Sequence, residues 1–175
     1  MLALPVLASV VETLTRVAEP WKSVYDDSKV LETAVVFVHV AALVIGGGIA
    51  LAADRATLRA VGGDAATRAR QLAELGLTHR VVIVSLVILF VSGVALFLTD
   101  VETFAVSIVF WVKMALVALL LANGLVMTRT ESALRGASDG GGGDLARWGR
   151  LRTTAIASGA LWLVTMLAGV ALTNV

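Results

Sequence analysis

Residues 35–50 read VVFVHVAALVIGGGIA, an apolar run with one imidazole, His39, near its start and three glycines, Gly46 to Gly48, near its end. No charged side chain interrupts the chain from Thr33 to Ala53. A helix needs about 20 predominantly apolar residues to cross a bilayer core, and this stretch meets that length. Three more stretches do so, at about 81–99, 107–128 and 153–173, and Lys113 is the one charged residue inside any of them.

The whole composition agrees with four spans. Of the 175 residues 58% are apolar and 15% charged, and the mean hydropathy is +0.91. Soluble domains average about 45–50% apolar and about 25% charged. A net charge of +1 provides no field for nucleic acid. The absence of cysteine excludes disulfides, thiolate metal sites, iron–sulfur clusters and covalently attached c-type haem.

Arginine placement predicts the orientation. The connection between the first two spans holds Arg55, Arg59, Arg68, Arg70 and Arg80, and that between the last two holds Arg129, Arg135, Arg147, Arg150 and Arg152. The connection between spans two and three has Asp100 and Glu102 and no basic residue. Basic loops stay cytoplasmic, so both termini are expected outside. Before the first span, Leu7, Val10, Val11, Leu14 and Val17 fall at helical spacing. MLALP lacks the basic n-region of a signal peptide. An interfacial helix on the outer leaflet is expected here, ended by Pro20 with Trp21 at headgroup level. Residues 136–144, GASDGGGGD, lack the lysine of a phosphate-binding loop and read as a flexible linker.

The expected fold is therefore all-α: an integral membrane four-helix bundle, N-out and C-out, with an N-terminal interfacial helix. Residues 1–32 form the outer-side helix and linker, and residues 33–175 form the bundle. The pattern makes the chain a multi-pass membrane protein.

Within the first span, Ala42, Gly46 and Ala50 follow His39 on one helical face. Small residues mark the face turned toward other helices, so the imidazole is expected to face the bundle interior, roughly 9 Å from the outer end of the span. Two readings of His39 stay open. An intramembrane histidine is a candidate ligand, and neutral imidazole suits a haem iron, with Gly46 leaving room for a flat macrocycle. The alternative is a hydrogen bond across helices. Lys113 sits at a similar depth, where its ammonium could meet a haem propionate or an anionic substrate group. It could also snorkel, or meet Asp100 or Glu102. His79 lies at the opposite membrane face and cannot share a metal with His39. Asn123, deep in span three, is expected to hydrogen-bond a neighbouring helix. Trp162, mid-span in the fourth, either packs or lines a cofactor.

Further motifs carry a resemblance: His39 with the glycines and Asp54-Arg55, SGVALFLTD at the end of span two, FWVKMALVALLLANGL in span three and SGALWLVTMLAGVAL in span four. Together they resemble a largely uncharacterised family of small four-span bacterial membrane proteins, similar to the copper-resistance D membrane domain. They also resemble the family of four-helix bacterial protoporphyrinogen oxidases. Resemblance of the spans to these bacterial membrane families implies the cytoplasmic (inner) membrane of a bacterium. The latter resemblance implies that His39 is an axial haem ligand and that Lys113 pairs with a porphyrin carboxylate or substrate. The N-terminal extension and the glycine-rich loop depart from that pattern.

Three functions follow as expectations. The first is a b-type haem protein with a redox role linked to a tetrapyrrole or quinone, in which His39 is the metal ligand and Lys113, Gly46 and Trp162 line the cofactor. The second is a non-catalytic accessory subunit of a larger respiratory or photosynthetic membrane complex. The third is a copper-handling protein, which the scattered Met114, Met127 and Met166 support least. The partners expected are lipid, haem b or another tetrapyrrole or quinone, and either further copies of the chain or a larger assembly. Whether the protein is an enzyme is left open by the residues.

Overall fold

The computed structural model describes residues 3–136 and 143–173. The linker expected over 136–144 falls, at residues 137–142, outside the described residues. Among these residues six helices follow in order: α1 (Ala3–Asp27), α2 (Lys29–Val61), α3 (Ala65–Phe97), α4 (Val101–Val106), α5 (Ile108–Arg135) and α6 (Gly143–Leu172). Among the described residues there is no strand. Helices α2, α3, α5 and α6 are each long and apolar enough to cross a membrane.

Local chemistry starts these helices where they start. Ser28, Asp64, Asp100 and Ser107 each accept a hydrogen bond from the backbone N–H three residues on, opening α2, α3, α4 and α5. Such side chains satisfy donors that the first helical turn leaves without partners. The Asp64 carboxyl is held below the ordinary aspartate range by its bonds to the Thr67 side chain and backbone. A depressed pKa gives stability that is present above the unfolded value and lost as pH falls. Acidification through the aspartate range is thus expected to fray the first turn of α3, read as faster amide exchange at Thr67. Asp64→Asn should keep the cap and flatten that pH dependence; equal pH dependence in the variant would rule the carboxylate out.

The long helices outreach their apolar spans. The 33 residues of α2 extend about 50 Å at 1.5 Å per residue, against a hydrocarbon core of about 30 Å. Beyond the span expected at 33–53, the last turns of α2 pack with α3, α5 and α6 around Ala60, Leu75, Met127, Leu134, Trp148 and Leu151. Arg68 stacks over Trp148 there, 5.6 Å from the ring centre. This is the arginine end of the bundle. At the other, aromatic end, Phe97, Phe104 and Phe110 stack on one another with centroids 5.2–6.4 Å apart.

Helices α2 and α3 form one close hairpin, and α5 and α6 a second. The two join along α2 and α6, and no comparably close pairing links α3 to α5. Midway, Ala50, Leu120 and Trp162 are buried together, with Leu43, Val82, Leu86, Leu89 and Leu161 packed around them. The outward faces stay apolar: Phe37, Phe90 and Leu167 are 69%, 72% and 66% exposed. A helix apolar on both its inner and outer faces belongs in a membrane bundle.

Helix α1 corrects one expectation. It does not end at Pro20 but continues through it to Asp27. Proline removes one backbone donor from a helix, and Pro20 lies on an exposed part of α1, where the carbonyl it leaves free can bond water. The helix is held by its opposite side, where Ala18 and Tyr25 are buried and the Trp21 indole N–H donates to the Ala95 carbonyl at 2.8 Å. Trp21 thus ties α1 to α3.

Candidate functional site

The polar side chains of the bundle fall into two clusters on either side of the layer around Trp162. Toward the aromatic end, His39 on α2 is half-buried and its Nδ1 lies 2.9 Å from Ser92 Oγ on α3. The Ser92 hydroxyl already donates to the Ile88 carbonyl at 2.6 Å. With its single hydrogen committed, Ser92 Oγ accepts from His39, which puts the imidazole proton on Nδ1. Nε2 then keeps its lone pair, the state a metal-binding imidazole needs. The ring rests on Gly93, where an added Cβ would come 3.4 Å from Cε1.

Lys113 on α5 is half-buried too. Its Nζ lies 3.6 Å from where a Cβ on Gly169 of α6 would stand. It makes no ion pair with Asp100 or Glu102 among the described residues. One turn before Gly169, Thr165 is buried and its hydroxyl has no hydrogen-bond partner. Each of the four long helices therefore gives one polar group to this region: His39, Ser92, Lys113 and Thr165.

The small-residue ridge of α2 does a different job from the one expected for a flat cofactor. A Cβ on Gly46 would come 2.6 Å from Ser85 Cβ, and one on Gly47 would come 3.1 Å from the Trp162 ring. Ala42, Gly46 and Ala50 are buried. The space beside Gly46 and Gly47 is taken by Ser85 and by the indole of Trp162, which is 3% exposed. Asn123 behaves as expected, its Nδ2 donating to the Thr154 carbonyl of α6 at 2.9 Å.

Toward the arginine end the second cluster is denser. Gln71 donates to Thr57 Oγ1 at 3.1 Å, and both are buried. Asp54 is 5% exposed; the Ser158 hydroxyl approaches it, and its Oδ2 has no partner. Glu131 is 2% exposed, with Oε2 3.4 Å from His79 Nδ1 and 3.7 Å from Arg135, while Oε1 has no partner. Arg135 also donates to the Leu72 carbonyl at 2.7 Å, fastening α5 to α3. His79 and Ser92 lie 13 residues apart on α3, roughly 20 Å, so the two histidines belong to separate clusters. No group of three or more histidine, aspartate or glutamate side chains among the described residues is disposed to hold a metal ion.

Reading the sequence missed Glu131, Ser92, Thr165 and Ser158. A signal for them exists. Ser85 and Ser92 on α3, and Ser158 and Thr165 on α6, recur at seven residues, two helical turns, which puts each pair on one face. No family model, characterised protein or solved structure matches this chain. The fold and the two clusters define it as a four-span helical membrane protein with ionisable groups inside its bundle.

Proposed function

We propose that the protein is a b-type haem-binding membrane protein with a redox role linked to a tetrapyrrole or quinone, and that His39 is its iron ligand. The observation that carries this reading is His39 Nδ1 lying 2.9 Å from Ser92 Oγ inside a membrane bundle; with Ser92 as acceptor, Nε2 keeps its lone pair. A haem needs a lone-pair nitrogen and a counter-charge for its propionates, and His39 and Lys113 provide these. It also needs a slot, and the Gly46–Gly47 face does not supply one, because Trp162 fills it. The residues that would hold the ring are His39, Ser92, Lys113 and Thr165, on the aromatic side of the Trp162 layer. Bound haem would supply one-electron chemistry at iron. The chain's own part is to orient the imidazole through Ser92, to neutralise carboxylates through Lys113, and to keep water from the far side through the Trp162 layer.

The arginine end faces the cytoplasm in this reading, by the placement of basic loops, and both termini lie outside. Helix α1 lies at the outer surface. Val10, Leu14, Val17 and Val24 form an exposed apolar stripe on it, flanking the residues that contact the bundle, and such a stripe suits a lipid headgroup boundary. The membrane is the inner membrane of a bacterium.

The test is the absorption spectrum of the detergent-purified protein, expressed with ample haem supply, oxidised and dithionite-reduced. A Soret band with a reduced α-band is expected in the wild type and its loss in His39→Ala. Ser92→Ala, which removes the orienting partner but keeps the imidazole, should weaken haem retention without abolishing it. A colourless wild type, or a spectrum unchanged in His39→Ala, would overturn the assignment. The colourless result would favour an accessory subunit, whose helices need carry no chromophore.

A further inference from the structure

We propose that the cleft between α1 and the turn from α3 into α4 holds the headgroup of a phospholipid bearing a primary amine, and that the groove beside it takes one acyl chain. The cleft, of about 250 Å³, is lined by Glu19 and Lys22 of α1 and by Thr99, Asp100 and Glu102 beyond the end of α3. The groove, of about 310 Å³, is lined by Trp21 of α1 and by Val91, Val94 and Ala95 of α3. Leu98 borders both. The two are therefore neighbours along α3, polar past its end and apolar over the two turns before it, from Leu98 back to Val91, about 10 Å at 1.5 Å per residue. Charge at the membrane surface followed by hydrocarbon toward its core is the order of a phospholipid.

Charge selects the headgroup. The cleft carries both signs, yet among the described residues Lys22, Glu19, Asp100 and Glu102 make no ion pair with one another or with any other side chain. Asp100 gives Oδ1 to the Thr103 N–H that opens α4, while Glu19 and Glu102 stand exposed. These carboxylates do not form a group disposed to hold a metal ion. A zwitterion answers the arrangement: its phosphate meets the Lys22 ammonium, and its own ammonium donates N–H bonds to the carboxylates, the stronger kind because both partners are charged. A choline headgroup carries the same charges without an N–H donor, and a glycerol headgroup carries no cation.

Trp21 stands where the two parts meet. Its indole N–H is given to the Ala95 carbonyl, which fixes the ring beside the groove, one residue from Lys22 of the cleft. Tryptophan takes that level at a membrane interface. Val91 and Val94 are exposed, so the groove opens to the bilayer, and a chain can enter it without leaving hydrocarbon. The site rests on the membrane placement of the four long helices and not on the haem reading.

The test is native mass spectrometry of the full chain, released from detergent after mixing with equal amounts of phosphatidylethanolamine, phosphatidylcholine and phosphatidylglycerol of identical acyl chains. The wild type is expected to retain phosphatidylethanolamine over phosphatidylcholine by roughly tenfold, the worth of one hydrogen bond to a charged group. Glu19→Gln combined with Glu102→Gln should bring the two lipids to parity. Lys22→Gln should lower both and keep their ratio. Glycerophosphoethanolamine, the same headgroup without chains, should not displace the lipid at equal concentration. Equal retention of the ethanolamine and choline lipids by the wild type would overturn the proposal, as would a preference that survives the double substitution. Phosphatidylglycerol retained best would overturn it too, leaving Lys22 as an anion contact alone. Full displacement by the chainless headgroup would overturn the part given to the groove. Glu19 and Glu102 are exposed, and the wild-type comparison of the three lipids decides without any variant.

Discussion

Gly46→Ala is expected to destabilise the bundle by about 1–3 kcal/mol, the usual range for overpacking a core, whereas Gly48→Ala, two residues on, should be neutral or stabilising by up to about 1 kcal/mol from helix propensity. The geometry differs sharply among three consecutive glycines. A Cβ at Gly46 meets Ser85 Cβ at 2.6 Å, one at Gly47 meets the Trp162 ring at 3.1 Å, and one at Gly48 meets nothing within 4 Å. Ser85 Cβ is fixed to its backbone, so α3 itself has to move away from α2. The double variant Gly46→Ala with Ser85→Gly removes the obstructing atom and should recover most of the loss. Thermal unfolding in detergent measures all three. Equal stability of Gly46→Ala and Gly48→Ala would show that the α2–α3 contact is not as close as described.

Trp162→Ala is expected to be the most damaging single change, at about 3–5 kcal/mol, the range for truncating a buried large aromatic. The indole is 3% exposed, covers Gly47, and stands in the one apolar layer between the two polar clusters. Its removal leaves a cavity with His39 and Thr165 on one side and Asp54 and Ser158 on the other. Water entering there would connect the clusters, so liposomes carrying the variant should leak protons faster than those with the wild type. Trp162→Phe, which keeps a ring in place, should lose less stability and stay tight. A Trp162→Ala protein that melts like the wild type would place the indole outside the packing that holds the hairpins together.

The spans were legible because hydrocarbon imposes one simple requirement, a sustained run of apolar residues, and each of the four stretches meets it without help from the others. Helical spacing also disclosed that Ala42, Gly46 and Ala50 share a face, and that face is buried. What stood against it was not legible. Ser85 lies 39 positions on and Trp162 more than a hundred, and the register between helices is a property of the packed bundle, not of either helix. Hence Gly46 and Trp162, read as cofactor-lining residues, turned out to touch the same helix surface. Glu131 was hidden for another reason. It follows Arg129 and precedes Arg135, in what reads as a polar loop, yet α5 carries on to Arg135 and keeps Glu131 on the same face as Lys113, five turns away. A charge count treats such a residue as solvated, while the continued helix buries it.

The hydrogen bond from Trp21 to the Ala95 carbonyl also fixes an order of events during synthesis. The two residues are separated by 74 positions, and chains grow at about 5–20 residues per second, so the anchor for α1 emerges roughly 4–15 s after the helix that needs it. Until α3 is made and inserted, the Trp21 indole has no Ala95 carbonyl to bond, so closing this tie is a late step that follows the first hairpin.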